Sequence, residues 1–208
     1  MPLKDKPRIE IETLKPSEIA EASVLMSQAY STNPITCAVF GGPNEKQRSM
    51  LETGYKRGLK KGLVFSAKED GKILGVMRVL EWPHCQKEYQ SSLSSLNLLL
   101  LLLVLRGKAL RLRNWLSVWA KHDPNKPHLH LQSIGVLPER QGQGIGSLLL
   151  SHFCEYVDKV GQAAYLETDV QRNIHLYERF GFKVVKEISV LSLPNWFMWR
   201  DAVSTKGR

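Results

Sequence analysis

The chain has 208 residues, 43% of them hydrophobic and 24% charged, which excludes disorder of the whole chain and suits a single domain over 1–208. The 29 Lys and Arg outnumber the 20 Asp and Glu, giving a net charge of +9; this favours anionic partners without choosing among phosphate groups, nucleic acid and anionic membrane. Cys37, Cys85 and Cys154 are odd in number and form no C-x-x-C pair, so no complete disulfide framework is available and a reducing, cytoplasmic setting is expected.

Residues 8–13 (RIEIET) alternate like a strand, and Pro16-Ser17-Glu18 opens a helix to about Tyr30. No apolar stretch of signal-peptide type precedes them. Residues 31–43 are rich in turn formers and read as a loop; 44–61 read as a helix whose Lys56, Arg57, Lys60 and Lys61 form a solvated face. Two apolar runs around Glu69-Asp70-Gly71-Lys72 predict a hairpin.

Residues 86–121 are apolar and basic, helical in character and broken near Gly107. Leu105, Ala109, Leu112, Leu116 and Trp119 share one face, which reads as core-facing, with a solvated basic side. The run of apolar residues at 98–105 is far shorter than the roughly 20 needed to span a bilayer. No stacking aromatics interleave with the basic residues, so nucleic-acid binding is not expected.

The second half is better patterned. Residues 129–136 form a strand, 137–146 a glycine-rich turn, 147–160 an amphipathic helix and 163–168 a strand. A short helix at 173–180 closes at Gly181, and strands follow at 183–189 and 196–200. The order predicts a mixed α/β domain.

The turn itself reads SIGVLPERQGQGIGSLLL. Strand, glycines and helix start in succession make a cradle for phosphate or pyrophosphate, and Arg140 adds charge. Gly142-x-Gly144-x-x-Ser147, with Glu167 on the next strand, comes near a dinucleotide fingerprint. Ser at the third position, the extra residues 137–140 and the short remainder of the chain count against it. No Gly-Lys-Ser/Thr follows, which excludes a Walker loop.

Gln141-x-x-Gly144-x-Gly146 resembles the acetyl-CoA signature of the GNAT family of N-acetyltransferases, and LETDVQRNIHLYERFGF at 166–182 resembles that family's second signature. Asn173 and Tyr177 lie four apart there, on one helix face. Within the family, LET…RN…YER-GF and Trp196-x-Met198-x-Arg200 are similar to puromycin N-acetyltransferase-like members, although those are aromatic where this chain has Leu129 and His130.

The resemblance implies a mostly antiparallel sheet with splayed middle strands and flanking helices. It implies direct transfer of acetyl from acetyl-CoA to a primary amine, here of a small molecule. It assigns the main chain of Ile134, Gly135 and Val136 to the pantetheine arm and thioester carbonyl. Arg140, Gln141, Gly142, Gln143, Gly144, Ile145, Gly146 and Ser147 would cradle the pyrophosphate. Asn173 would contact the cofactor, and Tyr177 would protonate the departing thiolate. Glu167, Glu81 and His130 are the candidate bases, with Glu167 preferred because it adjoins both motifs.

Plainer readings run beside these: Asn173 as a helix cap, Glu167 in an ion pair, Tyr177 as packing. Protein acetylation at Lys or an N-terminus, and a sensor that binds CoA without turnover, remain open, as do monomer and homodimer. His128 and His130 share a strand face, but no Cys or carboxylate lies at metal-site spacing, so no metal is expected. Cys154 is expected to be buried and inert, and Cys85 is not expected to be a nucleophile.

Overall fold

The structure is a computed structural model that describes residues 8–60, 63–87 and 107–203. The 98–105 run lies outside the described residues. The sheet has seven strands in the order β1-β2-β3-β4-β5-β7-β6. They are β1 (Glu10–Thr13), β2 (Val64–Glu69), β3 (Lys72–Glu81), β4 (Leu129–Val136), β5 (Ala164–Thr168), β6 (Lys183–Val190) and β7 (Leu193–Arg200). Every pairing is antiparallel except β4 with β5. The mostly antiparallel α/β architecture expected from the sequence is therefore present.

Six helices flank the sheet among the described residues with full bounds: α1 (Ile19–Ala29), α2 (Pro34–Phe40), α3 (Glu45–Leu59), α4 (Lys108–His122), α5 (Ile145–Val160) and α6 (Gln171–Glu178). β2 and β3 bury apolar residues on both faces because both faces are covered. Phe65, Leu74, Met77 and Val79 pack with Leu149, Phe153 and Val157 of α5. Val64, Ile73 and Val76 pack with Leu25 and Met26 of α1 and Tyr55 of α3. Leu116 and Trp119 of α4 pack with Ile35, Tyr165 and Phe197.

Two departures from the sequence reading have clear causes. The loop expected at 31–43 contains α2. Asn33 caps it, its Oδ1 accepting from the Thr36 amide at 2.9 Å; Pro34 starts it and left-handed Gly41 ends it. The last hairpin is longer than expected, because its turn is built by Leu191 and Ser192 at φ 55° and 66°, residues that carry no turn signal. The first hairpin turns at Asp70 and Gly71, φ 49° and 78°, the pair that type I′ geometry favours.

The middle of the sheet splays. The β3–β4 register steps from Arg78↔Ser133 to Val79↔Leu131, leaving Gln132 as an extra residue that bends β4. β4 and β5 pair only at Leu129↔Ala164 and His130↔Tyr165. Beyond His130 the two strands part, and a cleft opens between them.

Candidate active site

The glycine turn follows β4 directly. Gly142 and Gly144 sit at φ 76° and 86°, and a Cβ on either would meet nothing among the described residues within 4 Å. They face open space in a conformation that suits glycine. The first amides of α5, from Ile145 to Ser147, have no carbonyl one turn earlier to bond. Donors and helix dipole together make a seat for a pyrophosphate, so the residues present fit the diphosphate of a CoA thioester.

The neighbours of this seat brace it. Gln141 Nε2 donates to the Val136 carbonyl at 3.1 Å. Arg140 forms a two-pronged ion pair with Glu69, at 2.7 and 2.9 Å, and its Nε donates to Gln143 Oε1. The Arg140 charge is thus engaged by the first hairpin. Ile145 is buried in the core beneath the turn.

The cleft edge of β4 is occupied by a residue that the motifs do not mark. The Tyr30 hydroxyl accepts from the Ile134 amide at 3.2 Å and donates to the Ile134 carbonyl at 3.1 Å. Gly135 has a packing reason to be glycine: a Cβ there would lie 2.6 Å from Met26 Sδ, so α1 approaches β4 closely.

Tyr177, in α6, is buried and lines the cleft. Burial first, then the Asp169 carboxylate, push its phenol above the usual range, so it holds its proton. Asn173 lies one turn earlier and lines the same cleft. It sits inside the first turn of α6, whose cap position is Val170.

Glu167 lies within β5, paired with Phe197 of β7 and two residues past Tyr165, the last β5 residue that pairs with β4. Its side chain is 1% exposed. Oε2 accepts from His130 Nε2 at 2.7 Å, and His130 Nδ1 lies 3.2 Å from Asp123 Oδ2. Burial opposes the His130 cation, but Glu167 and Asp123 outweigh it and hold the imidazole pKa well above its usual value. Glu167 Oε1 is buried and has no hydrogen-bond partner among the described residues. Of the three candidate bases, the fold brings Glu167 and His130 together, and Glu81 is exposed at the end of β3.

Glu167 and Tyr177 line one cavity of about 410 Å³. Its further walls include Phe40, Met50, Leu112, Trp115, Leu116 and Trp119. The two indoles meet edge to face at 5.0 Å. Asp169 fixes the rim, accepting from Asn33 Nδ2 at 2.6 Å and from the Ile35 amide at 2.7 Å. Tyr30, Asp123 and Asp169 escape sequence reasoning because each acts on a partner that is remote in the chain or unmarked by a motif. The Asn33-Pro34 pair is the one local signal that could have located the rim.

A family model described as Acetyltransferase (GNAT) family matches residues 37–182, well over half the chain. Among solved structures, a Drosophila melanogaster polyamine N-acetyltransferase that forms N-acetylagmatine is similar with 14% identity and a TM-score of 0.71, over 92% of this chain and 98% of that one. Arylalkylamine N-acetyltransferase 2 from Aedes aegypti is similar at 16% identity and TM-score 0.66, over 93% and 98%. A Thermoplasma acidophilum N-acetyltransferase in complex with coenzyme A is similar at 13% identity and TM-score 0.57, over 93% and 99%. At these identities the likenesses establish the fold.

Proposed function

This chain belongs to the acetyltransferase (GNAT) family, an acetyl-CoA-using family, and from that premise we propose that it acetylates the primary amine of a small molecule with an apolar or aromatic body. The carrying observation is Glu167: a buried carboxylate, one oxygen held by His130 and the other unpartnered among the described residues, in a cavity walled by aromatic and aliphatic side chains. An ammonium group is the natural partner for that oxygen, because an unpaired buried acceptor costs about 1–3 kcal/mol. The indoles Trp115 and Trp119 suit the hydrocarbon part of such an amine.

Bound acetyl-CoA supplies an acyl thioester. The helix start after Gly144 and the left-handed glycines would hold its diphosphate, and the cleft edge at Ile134 would receive its arm. Glu167 takes the proton that must leave the amine before attack, since an alkyl ammonium has a pKa of about 10.4. Tyr177 keeps its proton until the sulfur leaves as thiolate, and then donates it. The similar polyamine and arylalkylamine enzymes act on small amines, the acceptor class that the apolar and aromatic cavity walls favour.

The test begins with thermal stability in excess acetyl-CoA, with NAD as control. Saturation at about 100 times the dissociation constant adds roughly 2.7 kcal/mol, a rise of several degrees. A panel of arylalkylamines, polyamines and aminoglycosides is then screened by thiol release. Turnover of apolar-bodied amines, falling about 100-fold in Tyr177→Phe, is the expected outcome. A shift with NAD alone, or thiol release only with peptide substrates, overturns the reading.

A further inference from the structure

We propose that Cys85, Asp123, His128 and His130 form a buried site for a divalent transition metal of zinc type. All four are buried, and one ligand atom from each lies within 4.8 Å of every other. Cys85 Sγ is 3.6 Å from Asp123 Oδ1 and 3.7 Å from His128 Nε2. His128 Nε2 is 3.5 Å from Asp123 Oδ1, and His130 Nδ1 is 3.2 Å from Asp123 Oδ2. Tetrahedral zinc with Zn–S near 2.3 Å and Zn–N near 2.05 Å has ligand-to-ligand edges of roughly 3.3–3.6 Å. These four contacts are close to that size, and the remaining ligand atoms stay within 4.8 Å of one another.

Both imidazoles are already oriented for ligation. His128 Nδ1 lies 2.8 Å from the Lys126 carbonyl. A carbonyl has no proton to give, so Nδ1 carries the hydrogen and Nε2 turns a lone pair on Cys85 and Asp123. His130 Nε2 donates to Glu167 Oε2, leaving Nδ1 toward Asp123. Metal-binding histidines regularly donate their second nitrogen to a carbonyl or carboxylate, which fixes tautomer and ring plane. Here one histidine uses each kind of acceptor.

Charge agrees with geometry. A thiolate and a carboxylate neutralise a dication, and two neutral imidazoles complete four ligands with no further net charge. A metal at His130 Nδ1 would take the place of the proton that otherwise holds that nitrogen to Asp123. With four protein ligands the site is closed, so its chemistry is structural. Cys and His ligands favour zinc over magnesium or calcium.

The sequence conceals this set because its members come from three elements. Cys85 follows β3, Asp123 caps the end of α4, and His128 and His130 lie just before and at the start of β4. Gln86 Nε2 also reaches the Asp123 and Pro124 carbonyls, each at 3.4 Å, so the segments already meet. A metal there would pin the end of α4 to the sheet and, through His130, fix the direction of Glu167.

The full chain is expressed with zinc in the medium and assayed for metal by mass spectrometry. About one zinc per chain is expected, retained by Cys154→Ala and lost from Cys85→Ser, which keeps a hydrogen-bonding group but offers no thiolate. Cobalt is then loaded into the stripped Cys37→Ser/Cys154→Ala chain, whose one remaining cysteine is Cys85. Ligand-field bands of four-coordinate cobalt and a thiolate charge-transfer band support the site, even if Cys85→Ser does not fold. Absence of that band, or equal zinc in folded wild type and Cys85→Ser, overturns it and leaves a purely hydrogen-bonded cluster. None of these readouts needs the amine substrate.

Discussion

Glu167 is held at one oxygen and open at the other, so replacing it with Gln preserves shape while removing the charge that accepts a proton. Glu167→Gln is expected to lower kcat about 100-fold or more at unchanged KM for acetyl-CoA. A rise in that KM with kcat intact would show a purely shaping role. Tyr30 invites the opposite kind of change. Its hydroxyl bonds both polar groups of Ile134, the edge that an incoming pantetheine arm needs. One hydrogen bond is worth about 1 kcal/mol, so Tyr30→Phe is expected to tighten acetyl-CoA binding about five-fold by calorimetry. Weaker binding would show that the hydroxyl stays and contributes. Glu167, Tyr177 and the glycines were legible because they fall within two local motifs. Tyr30 was not, because its partner lies 104 residues away.

At the scale of elements, α3 carries an instructive glycine. Gly58→Ala would ordinarily improve a helix by about 1 kcal/mol. Here the added Cβ would lie 2.6 Å from Val64 Cγ2 and 3.1 Å from Arg78 Nε. Overpacking of this kind costs about 1–3 kcal/mol, so the variant is expected to unfold at lower denaturant with an unchanged slope. An unchanged or higher midpoint would show that β2 yields. The rim helix α2 gives a second case. Asn33→Ala removes both its cap and a bond to Asp169, and is expected to cost about 1–2 kcal/mol. The two hairpins show why some elements were readable and others were not. Asp70-Gly71 announces its turn by residue type, whereas Leu191-Ser192 takes the same backbone shape under tertiary constraint and leaves no local trace.

Across the whole molecule, surface ion pairs contribute to the response to acid. Hydrogen bonds from Lys68 and Arg140 hold Glu12 and Glu69 below the usual value of 4.5. Partial burial pushes Glu18 up, but Lys68 and the Lys15 amide outweigh it. Because the folded values lie below the unfolded one, the stabilisation is complete above about pH 4.5 and is lost as pH falls through the folded values. Calorimetry is expected to show Tm dropping in that window, less steeply at 1 M salt and less steeply in Glu69→Gln. A drop that begins near neutrality would place its origin elsewhere. The order of strands, by contrast, was not legible, since periodicity says nothing about which strands adjoin. That order has a mechanical consequence. Four strands on one side and three on the other meet through two residue pairs, Leu129↔Ala164 and His130↔Tyr165. The sheet is two plates on a short hinge. Amides along the parted edges should exchange with deuterium sooner than those in the β3–β4 ladder, and a molecule lodged across the gap should slow both edges together, fastening plates that the backbone itself scarcely joins.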